Sequence, residues 1–62
     1  MTVQELYRIL LESEEVLFYT NKNFLVWNGL VRDIPSRYFD YLIDNIYSVS
    51  DSEMSCIIIN LK

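Results

Sequence analysis

The 62-residue chain has no histidine, one cysteine, one glycine and one proline, and each scarcity excludes something. A lone Cys56 forms no internal disulfide and, without histidine, leaves no set of soft ligands for a zinc staple. The missing imidazole removes Ser-His and Cys-His activation of a nucleophile and the commonest proton shuttle near neutral pH, which argues against a hydrolase. Few Gly and Pro, against 52% apolar residues, set the chain apart from disordered composition. Apolar runs such as Cys56 to Ile59 stop at four residues, far below the ~20 a membrane-crossing helix needs. Basic residues are also few: five against nine acidic ones give a net charge of −4, opposite in sign to a phosphate-binding surface. The expectation is one soluble domain over residues 1–62, with no direct nucleic-acid ligand, no membrane partner and no cofactor.

What is present is patterned. Thr2 and Glu5 stand at capping-box spacing, and Val3, Leu6, Tyr7 and Leu10 follow at helical intervals with Ile9 and Leu11 on the flanks. This predicts a helix over 3–12 whose apolar face covers a sheet. Val16-Leu17-Phe18-Tyr19-Thr20 is β-branched and aromatic, giving a strand at 15–20. Asn21-Lys22-Asn23 tolerates left-handed backbone and predicts a hairpin into Phe24-Leu25-Val26-Trp27. Asn28-Gly29 also reads as a two-residue hairpin turn; the preferred reading is one bent strand, 24–32, with a bulge or close backbone approach at Gly29.

Asp33-Ile34-Pro35-Ser36 ends that strand, and Tyr38, Phe39, Leu42, Ile43 and Ile46 share a helical face, predicting a second helix over 36–45 with Arg37 spaced to pair weakly with Asp40 or Asp44. Ile46-Tyr47-Ser48-Val49, a polar Ser50-Asp51-Ser52-Glu53 loop and Met54 to Leu61 read as a second hairpin with a buried final strand. The expected fold is α+β in the order α-β-β-α-β-β, a small antiparallel four-stranded sheet with two helices packed on one face.

A domain this short buries only ~60% of its unfolded surface, so without metal or disulfide it needs dense aromatic packing, from Phe18, Phe24, Trp27, Tyr38 and Phe39, or another chain. Two helices cover one face of a four-stranded sheet, while the first two strands are apolar at consecutive positions. Leu17, Tyr19, Leu25 and Trp27, with the last strand, are therefore candidates for an interface with a protein partner or, as a homodimer, with another copy. The competing reading is that these groups complete a monomeric core.

Catalytic readings are weaker. Asp40 and Asp44 lie one helical turn apart on a solvated face with no glycine loop beside them, and Asp51-Ser52-Glu53 lacks the glycine and ligand count of a calcium loop. Cys56, in an apolar strand, reads as structural, and the five tyrosines as packing groups. Hence no catalytic, cofactor or metal residues are assigned. The carboxylates of Glu12, Glu14, Glu15, Asp40 and Asp44 could imitate a row of phosphates, or simply keep a very apolar chain in solution.

The pattern Met1-Thr2-Val3-x-Glu5-Leu6, the Val/Phe/Tyr-rich strand and Val26-Trp27-x-Gly29-x-Val31-x-Asp33-Ile34-Pro35 resembles small uncharacterised proteins encoded by phages and integrative elements of low-GC Gram-positive bacteria. The resemblance implies an accessory factor in the bacterial cytoplasm; some small acidic mobile-element proteins inhibit host nucleases, CRISPR effectors included. The function expected is non-enzymatic protein binding, as an inhibitor of a host defence nuclease, with a self-associating structural or antitoxin-like regulatory subunit as the alternative. The matching positions carry structural roles, so the resemblance transfers no site residue. The start of the chain, acidic and without a basic or long apolar segment, does not read as a secretory signal.

Overall fold

The computed structural model describes residues 1–50 and 55–62. It contains a short helix α1 (Val3–Tyr7) and four strands: β1 (Glu15–Tyr19), β2 (Leu25–Leu30), β3 (Ile43–Ser50) and β4 (Ser55–Leu61). Two single 3-10 turns, Val31–Asp33 and Ser36–Tyr38, lie between β2 and β3. The strands form one sheet in the order β2-β1-β4-β3. The outer pairs are antiparallel hairpins, but β1 and β4 run parallel at the centre, so the sheet is mixed. The predicted pair of helices on an all-antiparallel sheet is thus overturned in both its layers.

The capping box at the start of α1 forms. Glu5 N donates to Thr2 Oγ1 (3.3 Å), and Thr2 N donates to Glu5 Oε1 (3.0 Å). The first helical amides find partners elsewhere: Val3 N donates to Tyr41 O (3.0 Å) and Gln4 N to Phe39 O (3.1 Å). These bonds explain why no second helix spans 36–45. Carbonyls that such a helix would use internally instead satisfy the open end of α1. Ile43 N then donates to Met1 O (2.9 Å), and the chain continues as a strand of Ile, Tyr and Val. Arg37 consequently has no helical neighbour one turn away; its guanidinium lies 4.8 Å from the Tyr38 ring centroid.

The first helix also ends five residues earlier than its apolar pattern suggests. Glu12 O and Glu14 O accept from Arg32 N (3.1 Å) and Val31 N (2.9 Å), which turns the chain into β1. Ile9 and Leu11 are left exposed, 70% and 69% accessible, because no sheet lies beneath them.

The hairpin at 21–23 forms as expected. Asn23 takes φ 66°, while Thr20 Oγ1 accepts from the amides of Lys22 and Phe24. Asn28-Gly29 runs straight through β2, opposite Leu17 and Val16, and does not turn. The bulge falls elsewhere: Phe18 faces Trp27 and Tyr19 faces Leu25, leaving Val26 as the extra residue.

One face of the sheet is covered. Val16 and Phe18 of β1, Ile59 and Leu61 of β4, and Ile43 of β3 pack beneath Val3 and Leu6 of α1 and beneath Val31, Ile34 and Tyr38 of the connection between β2 and β3. That connection starts from one sheet edge and ends at the other, so it and α1 together make the second layer. Tyr38 joins it to the sheet: its ring meets Phe18 edge-on at 5.3 Å and Tyr41 at 5.3 Å, and its hydroxyl donates to Val26 O (3.4 Å). Trp27 completes the cluster, 5.5 Å from Phe18. Phe24, 67% exposed in the hairpin, takes no part.

Candidate functional site

Among the described residues no element covers the other face of the sheet. Strand alternation and the pairing register place Leu17 beside Ile58 at its centre, with Tyr19, Leu25 and Leu30 towards β2 and Cys56, Tyr47 and Val49 towards β3. The central residues are half-buried by their neighbours, whereas Leu25, Tyr47 and Val49 near the margins are 49%, 51% and 47% exposed. Three asparagines, Asn28, Asn45 and Asn60, add amide groups, and the Asn60 side-chain amide donates to the Asn45 side-chain oxygen across the β3–β4 pair. The charged residues of the four strands are Glu15, at a corner of β1 on this face, and Asp44, the exposed extra residue at the bulge that opens β3.

The sequence-derived surface therefore divides. Leu17, Tyr19 and Leu25 do lie together on the open face. Trp27 does not: the bulge at Val26 reverses the alternation, so Trp27 points into the covered layer against Phe18 and Tyr38 although it follows Leu25 by two residues. Ile58, within the last strand that the sequence also marked, belongs to this surface, as do Tyr47 and Val49, which were not singled out. The pairing of residues 46–49 with the last strand was expected, but a helix up to 45 and the unforeseen bulge at Asp44 left open which face Tyr47 and Val49 occupy.

The acidic residues form two groups. Glu12, Glu14 and Glu15 precede or open β1, at the end of the sheet where Val16 pairs with Ile57. Asp40 and Asp44 flank the start of β3, where Ile43 pairs with Leu61 at the opposite end. Among the described residues no three Asp, Glu or Cys side chains come together in a way that could hold a metal ion. The Glu5 carboxyl is held below its ordinary value, first by the Thr2 backbone amide and then by the Thr2 hydroxyl. Both belong to the helix cap.

Among the described residues no buried side-chain N or O lacks a hydrogen-bond partner, so none is left aimed at an absent ligand. Cys56 is a free thiol on the open face, half-buried beside its neighbours. Among the described residues no helix is long and apolar enough to cross a membrane. No protein-family model, curated protein or solved structure matches the chain.

Proposed function

We propose that this chain is a non-catalytic protein-binding module that seats its partner on the open face of the sheet. The observation supporting this is the continuous apolar face of Leu17, Leu25, Tyr47, Val49 and Ile58, over which no element lies among the described residues. Its chemistry suits a partner surface that is itself apolar and lined with amide or hydroxyl groups. Burial of aliphatic and phenolic carbon drives association, while the three asparagines fix orientation.

The resemblance to mobile-element proteins suggests a host defence nuclease as the partner, bound in the bacterial cytoplasm. The separation of Glu12–Glu15 from Asp40 and Asp44 favours the apolar face over an acidic row as the contact. Binding through this face should be insensitive to added salt, unlike charge mimicry.

The test places a photo-crosslinking residue at Leu25 on the open face or, as a control, at Ile9 on the other layer, with the protein in its own cell. The expected result is a discrete adduct with one polypeptide from Leu25 and none from Ile9. Equal labelling from both positions, or no adduct from Leu25, overturns the reading.

A further inference from the structure

The two edges of this sheet differ. β2 is six residues long, is bulged at Val26 and contains Gly29, features that bend an edge and weaken its ability to take another strand. β3 is eight residues long and, among the described residues, its strand partner is β4 alone. Its other side is covered at one point, where Met1 O accepts from Ile43 N. Beyond the second bulge, at Asp44, the outer edge from Asn45 to Ser50 takes no strand among the described residues. This stretch has none of the devices that protect natural edges: no lysine, no proline, no inward-facing charge and no bulge. Ile46, Tyr47 and Val49 within it are all residues that favour strands.

We propose that this edge pairs antiparallel with the same edge of a second copy, joining two four-stranded sheets into one of eight. Two features favour a copy over a foreign strand. An antiparallel pair of identical strands is closed by a two-fold axis, so every unpaired group finds its counterpart in the partner and none is left over for further growth at that edge. With the axis at Ser48, Tyr47 faces Val49 of the partner subunit on the open side, and the reverse pair repeats it; aromatic opposite β-branched is a favourable cross-strand match. The net charge of −4 on each copy opposes association, but Asn45 to Ser50 carries no charge, so the paired stretch adds no repulsion of its own. The two-fold axis stands normal to the sheet, which keeps both α1 layers on one side and makes the two open faces continuous. The pairing does not depend on what, if anything, that face binds.

Sedimentation equilibrium over a concentration series tests it. The expected mass rises from one chain and levels at two. Val49→Lys and Ser48→Lys, at exposed positions, should each weaken the dimer by about tenfold or more while circular dichroism stays unchanged. Leu25→Lys, on the distant strand β2, should leave the dimer intact. In a Cys56→Ser background, Ser48→Cys should give a disulfide-linked dimer with oxidised glutathione, since residues facing across an antiparallel pair have the Cα separation a disulfide requires. This last readout stands even if a lysine variant fails to fold. A mass constant at one chain, growth beyond two, a dimer lost with Leu25→Lys, or no cross-link at Ser48 each overturns the proposal. A dimer that dissolves with Leu25→Lys but survives Val49→Lys and Ser48→Lys would leave the open face as a docking surface and remove the edge.

Discussion

Thr2 and Glu5 show how two side chains can set the start of an element. The cap supplies an acceptor to Glu5 N and a second to Thr2 N, and Thr2→Ala should lower stability by about 1 kcal/mol in chemical denaturation. Because the Glu5 carboxyl is held below its ordinary value of 4.5, its contribution is present above that value and is lost as pH falls through the lower, folded one. The difference in melting temperature between wild type and Glu5→Gln should therefore be constant near neutrality and shrink under acid. A difference that grows on acidification would contradict the cap as the source.

Gly29 presents a different constraint. A Cβ built there would stand 2.9 Å from Trp27 Cζ2, and the indole is held between Phe18 and Tyr38. Gly29→Ala should cost about 1–3 kcal/mol and change tryptophan fluorescence as the ring is displaced. An unshifted spectrum with unchanged stability would show that the indole has room to yield. The close approach at Gly29 was legible in sequence because glycine inside an apolar strand signals one. That the approaching group is Trp27 was not, because the bulge at Val26 sets which way the indole turns.

At the scale of elements, the start of α1 and the segment 39–43 are one unit, since each satisfies the other's backbone. The amides of Val3, Gln4 and Ile43 should consequently exchange with deuterium at similar rates and lose protection together when Thr2→Ala loosens the cap, while those of β1 and β4 remain slow. Fast exchange at Ile43 with Val3 still protected would separate the two. This reciprocity explains the misreading of residues 36–45. Tyr38, Phe39, Leu42, Ile43 and Ile46 fit a helical period, and the first three residues also suit a turn followed by a strand. The deciding partners, Val3 N and Gln4 N, lie more than thirty positions away. Local periodicity cannot register an acceptor claimed from such a distance.

For the whole molecule, the hairpins and the burial of the last strand could be read from alternation and turn residues, and so could an open apolar face containing Leu17, Tyr19 and Leu25. The joining of the hairpins could not. Runs such as Val16 to Tyr19 and Ile57 to Ile59 are apolar at successive positions, which is compatible with a central strand of either orientation. The covering layer likewise proved thinner than two helices: α1 and the 3-10 turns suffice because Tyr38, Trp27 and Phe18 occupy large volumes close to the sheet.

The parallel junction has a temporal consequence. Each β1–β4 pair unites residues forty-one positions apart, Val16 with Ile57 at one end and Tyr19 with Asn60 at the other. Both antiparallel pairs join strands close in sequence and can form early, but neither can dry Val16, Phe18 or Ile59 alone. The slow event in assembling this small molecule is thus the encounter of two preformed ribbons, and until it happens each carries half of a wet core.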